Sequence, residues 1–274
     1  MKTKRNQAFT LIELLVVITI IAILAGLAVP AYTMVQTMAN QSKGVNNARQ
    51  IIIAMKLFSK EHSSQYPDSV ANPLTGSLAQ SANDAFRFMI QEQIVTDERI
   101  FGCPAGYNPD NSIGQSPNFG QALMPGENHW AMTSNQTDAT AGNMPLVYEN
   151  PASLSWPPLW NADVAGQLAP GRTWPGGKII IGRNDGSVAV EALAGQKGMV
   201  GPRAMAGGVN LFTQASQGIL KRVLNVVYRS NGTIDPIDPG KPERDPKTLA
   251  VGVPLPGAAP SPEGAPGGLP PSGL

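Results

Sequence analysis

Cysteine and histidine are almost missing from this 274-residue sequence, which holds one thiol, Cys103, and two imidazoles, His62 and His129. A lone cysteine excludes an intramolecular disulfide framework, so the fold must be held by burial of apolar surface. With the two histidines far apart and no second cysteine at ligand spacing, a zinc site of the usual kind is excluded and no metal site is expected. Charge is scarce too: 14% of residues are charged and the formal net charge is +1. That leaves no basic field for nucleic acid and no acidic tract for a basic partner, so no nucleic-acid partner is expected. A nucleophile elbow, a P-loop, an H-E-x-x-H pair and a dinucleotide-binding glycine pattern are all absent. No catalytic residue and no cofactor are expected, and the chain is not read as an enzyme.

What is plentiful is glycine and proline, with 29 and 25 residues. That composition predicts a loop-rich domain with an irregular segment. The segment is the C-terminal stretch 232–274, dense in Pro, Gly and Ala with few large apolar residues. It cannot bury enough surface to offset chain entropy and is expected to be disordered.

The N-terminus carries the strongest pattern. Residues 1–8 hold Lys2, Lys4 and Arg5, and from Phe9 to Val29 every residue except Glu13 is apolar or small. A helix over that stretch is roughly 30 Å long at 1.5 Å per residue, which matches the hydrocarbon core of a bilayer. Positive charge before the first apolar segment keeps the leader cytoplasmic and puts the chain after Pro30 outside the inner membrane. Glu13 does not suit a plain anchor, because a carboxylate inside an apolar run costs a few kcal/mol, about 3, unless it is paired. Were the chain cut between Ala8 and Phe9, the new α-amino group of one copy could neutralise Glu13 of its neighbour and set the stagger between helices. Two plainer readings stand beside this one: a secretory signal sequence cleaved near Gly26-Leu27-Ala28, and an uncleaved anchor.

Ala8, Phe9-Thr10-Leu11-Ile12-Glu13 and the apolar run after them resemble the cleavage and methylation motif of type IV pilins and type II secretion pseudopilins. The resemblance implies that a prepilin peptidase cuts after Ala8 and methylates Phe9, that Glu13 is the assembly glutamate, and that Pro30 is the helix-bending proline. It departs from the pattern at Ala8, where the family usually has glycine. The implied function is a pseudopilin-type structural subunit of a type II secretion or type IV pilus-like filament. Its partners would be the peptidase, other pilin subunits and the inner membrane. The implied organisation is a leader at 1–8, a transmembrane and assembly helix at 9–29, an extracytoplasmic domain at 30–231 and the tail at 232–274.

Past Pro30 the apolar pattern becomes one-sided. Val45, Ala48, Ile52, Met55 and Phe58 recur at helical spacing against Lys43, Asn47, Arg49, Lys56 and Lys60, so the helix continues to about His62. Proline with Gly26 should kink it into two halves. A second, short helix is predicted near Asn83 to Gln93, capped by Asn83. Brief strands are predicted at His129 to Thr133 and Pro145 to Glu149. Lys178–Arg183 and Val188–Leu193 read as a hairpin about Asn184-Asp185-Gly186-Ser187. An amphipathic helix is predicted from Asn210 to Tyr228.

Calcium at Asn184 and Asp185 lacks further carboxylates, and turn chemistry accounts for them better. Trp130, Trp156, Trp160 and Trp174 are read as core, because tryptophan is highly buried on average. The alternative is a membrane-tethered module that binds glycan or protein through Trp-bearing loops. The expected fold is pilin-like α+β: a long N-terminal helix packed on a small antiparallel sheet, with loop insertions.

Overall fold

The computed structural model describes residues 10–153, 155–166, 168–204, 208–215 and 223–224. The expected disorder of 232–274 lies outside them, as do Ala8 and Phe9. The first helix, α1, runs without interruption over Leu11–Glu61. At 1.5 Å per residue its 51 residues extend about 77 Å. Its C-terminal half obeys the predicted stripe: Ala48, Ile52, Met55 and Phe58 are fully buried and Val45 is partly buried. His62 is the C-cap, as the end of the pattern implied.

The second helix, α2 (Ala82–Gln91), starts at Ser81 rather than at Asn83. Ser81 and Asp84 form a capping box: the Asp84 amide donates to the Ser81 hydroxyl at 3.1 Å, and the Ser81 amide donates to the Asp84 carboxylate at 3.1 Å. Asn83 is instead buried inside the helix, where its amide donates to the Leu123 carbonyl at 2.8 Å. The box satisfies two otherwise orphaned donors, whereas an asparagine cap at position 83 would satisfy one.

A five-stranded antiparallel sheet has the order β5-β4-β2-β1-β7, with β1 Trp130–Thr133, β2 Pro145–Glu149, β4 Lys178–Arg183, β5 Val188–Ala192 and β7 Val223–Leu224. Between β2 and β4, the two-residue β3 (Trp160–Asn161) pairs with β6 (Met199–Val200) as a separate ribbon. The hairpin of β4 and β5 turns as expected. Gly186 adopts φ +88, a conformation suited to glycine, and the Ser187 amide donates to Asp185 Oδ1 at 2.8 Å.

Helix α1 crosses the sheet at a place made for close approach. A Cβ on Gly44 would stand 2.6 Å from Ile180 Cδ1, so only glycine lets the helix axis come this near to β4 without repacking. Ile180, Trp130 and Met132 face the helices and join Ile51, Phe58, Phe86 and Met89 in one core. Ile179, Ile181, Ala131 and Tyr148 face the other way, into a second core with Trp160, Leu193, Leu211 and Phe212. This explains the uninterrupted run Ile179-Ile180-Ile181. A strand covered on both faces has no reason to alternate.

The predicted helix over Asn210–Tyr228 is corrected. Among the described residues of that stretch, α3 (Leu211–Ala215) is helical and Val223–Leu224 is a strand paired with Met132 and Thr133 of β1. The helical periodicity was outweighed by the open edge of β1, whose backbone groups need partners, and by the β-branched Val223.

Candidate functional site

Thr10 is the N-cap of α1, and Thr10-Leu11-Ile12-Glu13 is a capping box. The Thr10 amide donates to Glu13 Oε2 at 2.8 Å, the Thr10 hydroxyl donates to the same oxygen at 2.7 Å, and the Glu13 amide donates to the Thr10 hydroxyl at 3.3 Å. The Thr-x-x-Glu spacing was legible in the sequence and is the signal that reading Glu13 only as an assembly residue passed over. Two donors on one oxygen offset part of the cost of placing a carboxylate in an apolar run. Oε1 accepts no hydrogen bond among the described residues.

From Leu11 to Met38 the apolar side chains are exposed all round the helix: Leu11 is 80% exposed, Leu27 70% and Val35 65%. Among the described residues, α1 is long and apolar enough to cross a membrane by length and composition. Its three threonine hydroxyls are turned inward. Thr19 donates to the Leu15 carbonyl at 2.7 Å, Thr33 to that of Pro30 at 2.9 Å and Thr37 to that of Thr33 at 2.9 Å. Each donor is thereby satisfied inside its own helix, which is what a lipid or helix-packed setting demands. Pro30 sits within α1 without ending it. The proline lacks the N–H that would serve the Gly26 carbonyl, and Gly26 has open space around it.

The head has its own polar centre, which the sequence did not announce. Glu149, at the end of β2, is 1% exposed and collects donors from several segments. His129 Nε2 lies 3.0 Å from Oε1, Trp174 Nε1 lies 3.0 Å from Oε1, the Ile180 amide donates to Oε2 at 2.9 Å, and Arg172 Nη2 lies 3.4 Å from Oε1. His129 Nδ1 accepts from the Tyr107 amide at 3.4 Å, so Nε2 carries the proton that Glu149 receives. Burial keeps this imidazole below its ordinary pKa, the Glu149 hydrogen bond opposing it. Burial also pushes the Cys103 thiol up to about 12, with the Glu149 charge adding to the rise and Arg172 opposing it. A thiol held protonated is inert as a nucleophile.

Cys103, His129 and Glu149 come within 4.8 Å of one another, a separation at which three ligands could hold a metal. The cation of this cluster is already present: the Arg172 guanidinium lies 3.6 Å from Cys103 Sγ, is in contact with Glu149 and stacks 4.6 Å over the Trp174 ring. The cluster is a structural joint between β2, β4 and the loops carrying Cys103, His129 and Arg172. A second trio, Glu98, Asp110 and Glu127, is equally close. There Glu98 accepts the Leu123 amide at 3.0 Å and Glu127 accepts the Met124 amide at 2.7 Å, which fixes Leu123 in a left-handed turn at φ +49.

Three of the four tryptophans are core. Trp130 and Trp160 are fully buried and Trp174 is 2% exposed. Trp156 is half-buried and meets Phe212 edge-on at 5.3 Å. The Trp-bearing loops therefore offer no stacking platform from Trp130, Trp160 or Trp174. Asn184 and Asp185 work as turn residues: the Asn184 amide reaches the Thr140 carbonyl at 2.6 Å, and Ser187 holds the Asp185 carboxyl below its usual range.

A long N-terminal helix laid across an antiparallel sheet, with an exposed apolar half that opens on a capped glutamate, defines a pilin-like α+β protein. Residues 3–29 match the prokaryotic N-terminal methylation motif. Over 57 residues the chain is 42% identical to the type IV major pilin protein PilA of Myxococcus xanthus, a match that covers 21% of this chain and 26% of that relative. The chain thus spans about a quarter of the curated relative it matches. No solved structure matches the chain. The motif and the relative both belong to a structural, non-enzymatic class of protein.

Proposed function

We propose that this chain is a filament subunit of the type IV pilin kind, made as an inner-membrane precursor and drawn into a filament after removal of residues 1–8. The observation that carries the reading is the α1 half from Leu11 to Met38, whose apolar side chains are uncovered on every side and whose one charged residue is Glu13 near its start. In the precursor, lipid covers that surface; in the filament, the same helices of other copies do. A prepilin peptidase cuts after Ala8 and methylates Phe9, and the ammonium of Phe9 in one copy meets the free Oε1 of Glu13 in the next. Pro30 gives the helix the bend that lets the membrane half and the head half align differently. Residues 9–29 form the assembly helix, 30–231 the periplasmic head and 232–274 the tail.

Within this class we assign the chain to a secretion-type filament, as a minor pseudopilin. Support comes from the head, whose sheet is covered on both faces and carries an extra β3–β6 ribbon. Such bulk is harder to repeat along a closely packed shaft.

Mass spectrometry of the mature N-terminus tests the foundation. N-methylated Phe9 that appears only with the peptidase is expected, whereas a start near Val29 or an intact Met1 would overturn it. Glu13→Ala should be processed yet fail to enter filaments. For the finer assignment, this chain should be a minor band in purified filaments, and its deletion should impair secretion while leaving surface motility intact.

A further inference from the structure

We draw no further inference here: the strongest candidate, the Glu98–Asp110–Glu127 carboxylate cluster between the turn that follows α2 and the loop that precedes β1, is an acidic cluster that no second observation in the structure assigns to a ligand.

Discussion

Glu149 Oε1 accepts a hydrogen bond from the Trp174 indole at 3.0 Å where both side chains are closed to solvent. The same carboxylate holds Arg172, His129 and the Ile180 amide. It therefore joins elements far apart in sequence at a point where no water can substitute.

Glu149→Ala should cost about 3–5 kcal/mol, because it strands the Arg172 guanidinium in the core without its counter-charge. Urea unfolding of the full chain in detergent, followed by fluorescence of the buried tryptophans, reads this as a lower midpoint. A midpoint unchanged from the parent would show that the joint carries no stability.

His129 makes stability fall in acid. Its folded pKa lies below its ordinary 6.5, so the unfolded chain binds a proton that the folded chain resists. This contribution is full above about pH 6.5 and shrinks as pH drops through that value toward the folded pKa. Comparing unfolding midpoints at pH 7.5 and pH 5 should show a loss in the parent that is smaller in His129→Gln. Equal losses in the two proteins would assign the acid sensitivity to other groups.

Gly171→Ala should be among the most damaging single-methyl changes in the head. Gly171 has φ +70, and an added Cβ would stand 2.4 Å from the Ala152 amide nitrogen, a backbone atom that cannot swing aside. Strain and clash together should cost at least about 2 kcal/mol, a midpoint shift of several degrees in thermal unfolding.

Cys103 should be invisible to maleimide in the folded protein and react fully in urea. Burial and the Glu149 charge hold the thiol near 12, so thiolate is scarce at pH 7. Fast labelling without denaturant would show that the loop carrying Cys103 opens readily.

Thr10→Val should weaken filament entry while Thr10→Ser should not. Valine keeps the shape but removes the hydroxyl that both caps α1 and holds Glu13 Oε2, a loss of about 1 kcal/mol from the cap alone. The amount of each variant in sheared filaments, set against the cleaved amount in the membrane, separates assembly from processing.

The elements legible in the sequence were those fixed by local chemistry. An uninterrupted apolar run with one carboxylate declared the exposed half of α1. The stripe from Val45 to Phe58 declared its buried half, and Asn184-Asp185-Gly186-Ser187 declared the hairpin. Even the two capping boxes, at Thr10 and Ser81, lay in the sequence as spacings of three residues. Each of these is decided within one continuous stretch of chain, by periodicity, turn geometry or a side chain reaching its own backbone.

Tertiary structure alone decided the rest. Val223–Leu224 became a strand because β1 had an open edge, a fact written in residues 132 and 133 rather than in 223 and 224. Glu149 and Arg172 look like ordinary surface charges in the sequence. They are buried together because the chain between them folds back, so that a carboxylate, a guanidinium, an imidazole and an indole meet in one pocket. Long-range pairing of this kind depends on where several loops converge, and no local period encodes that convergence.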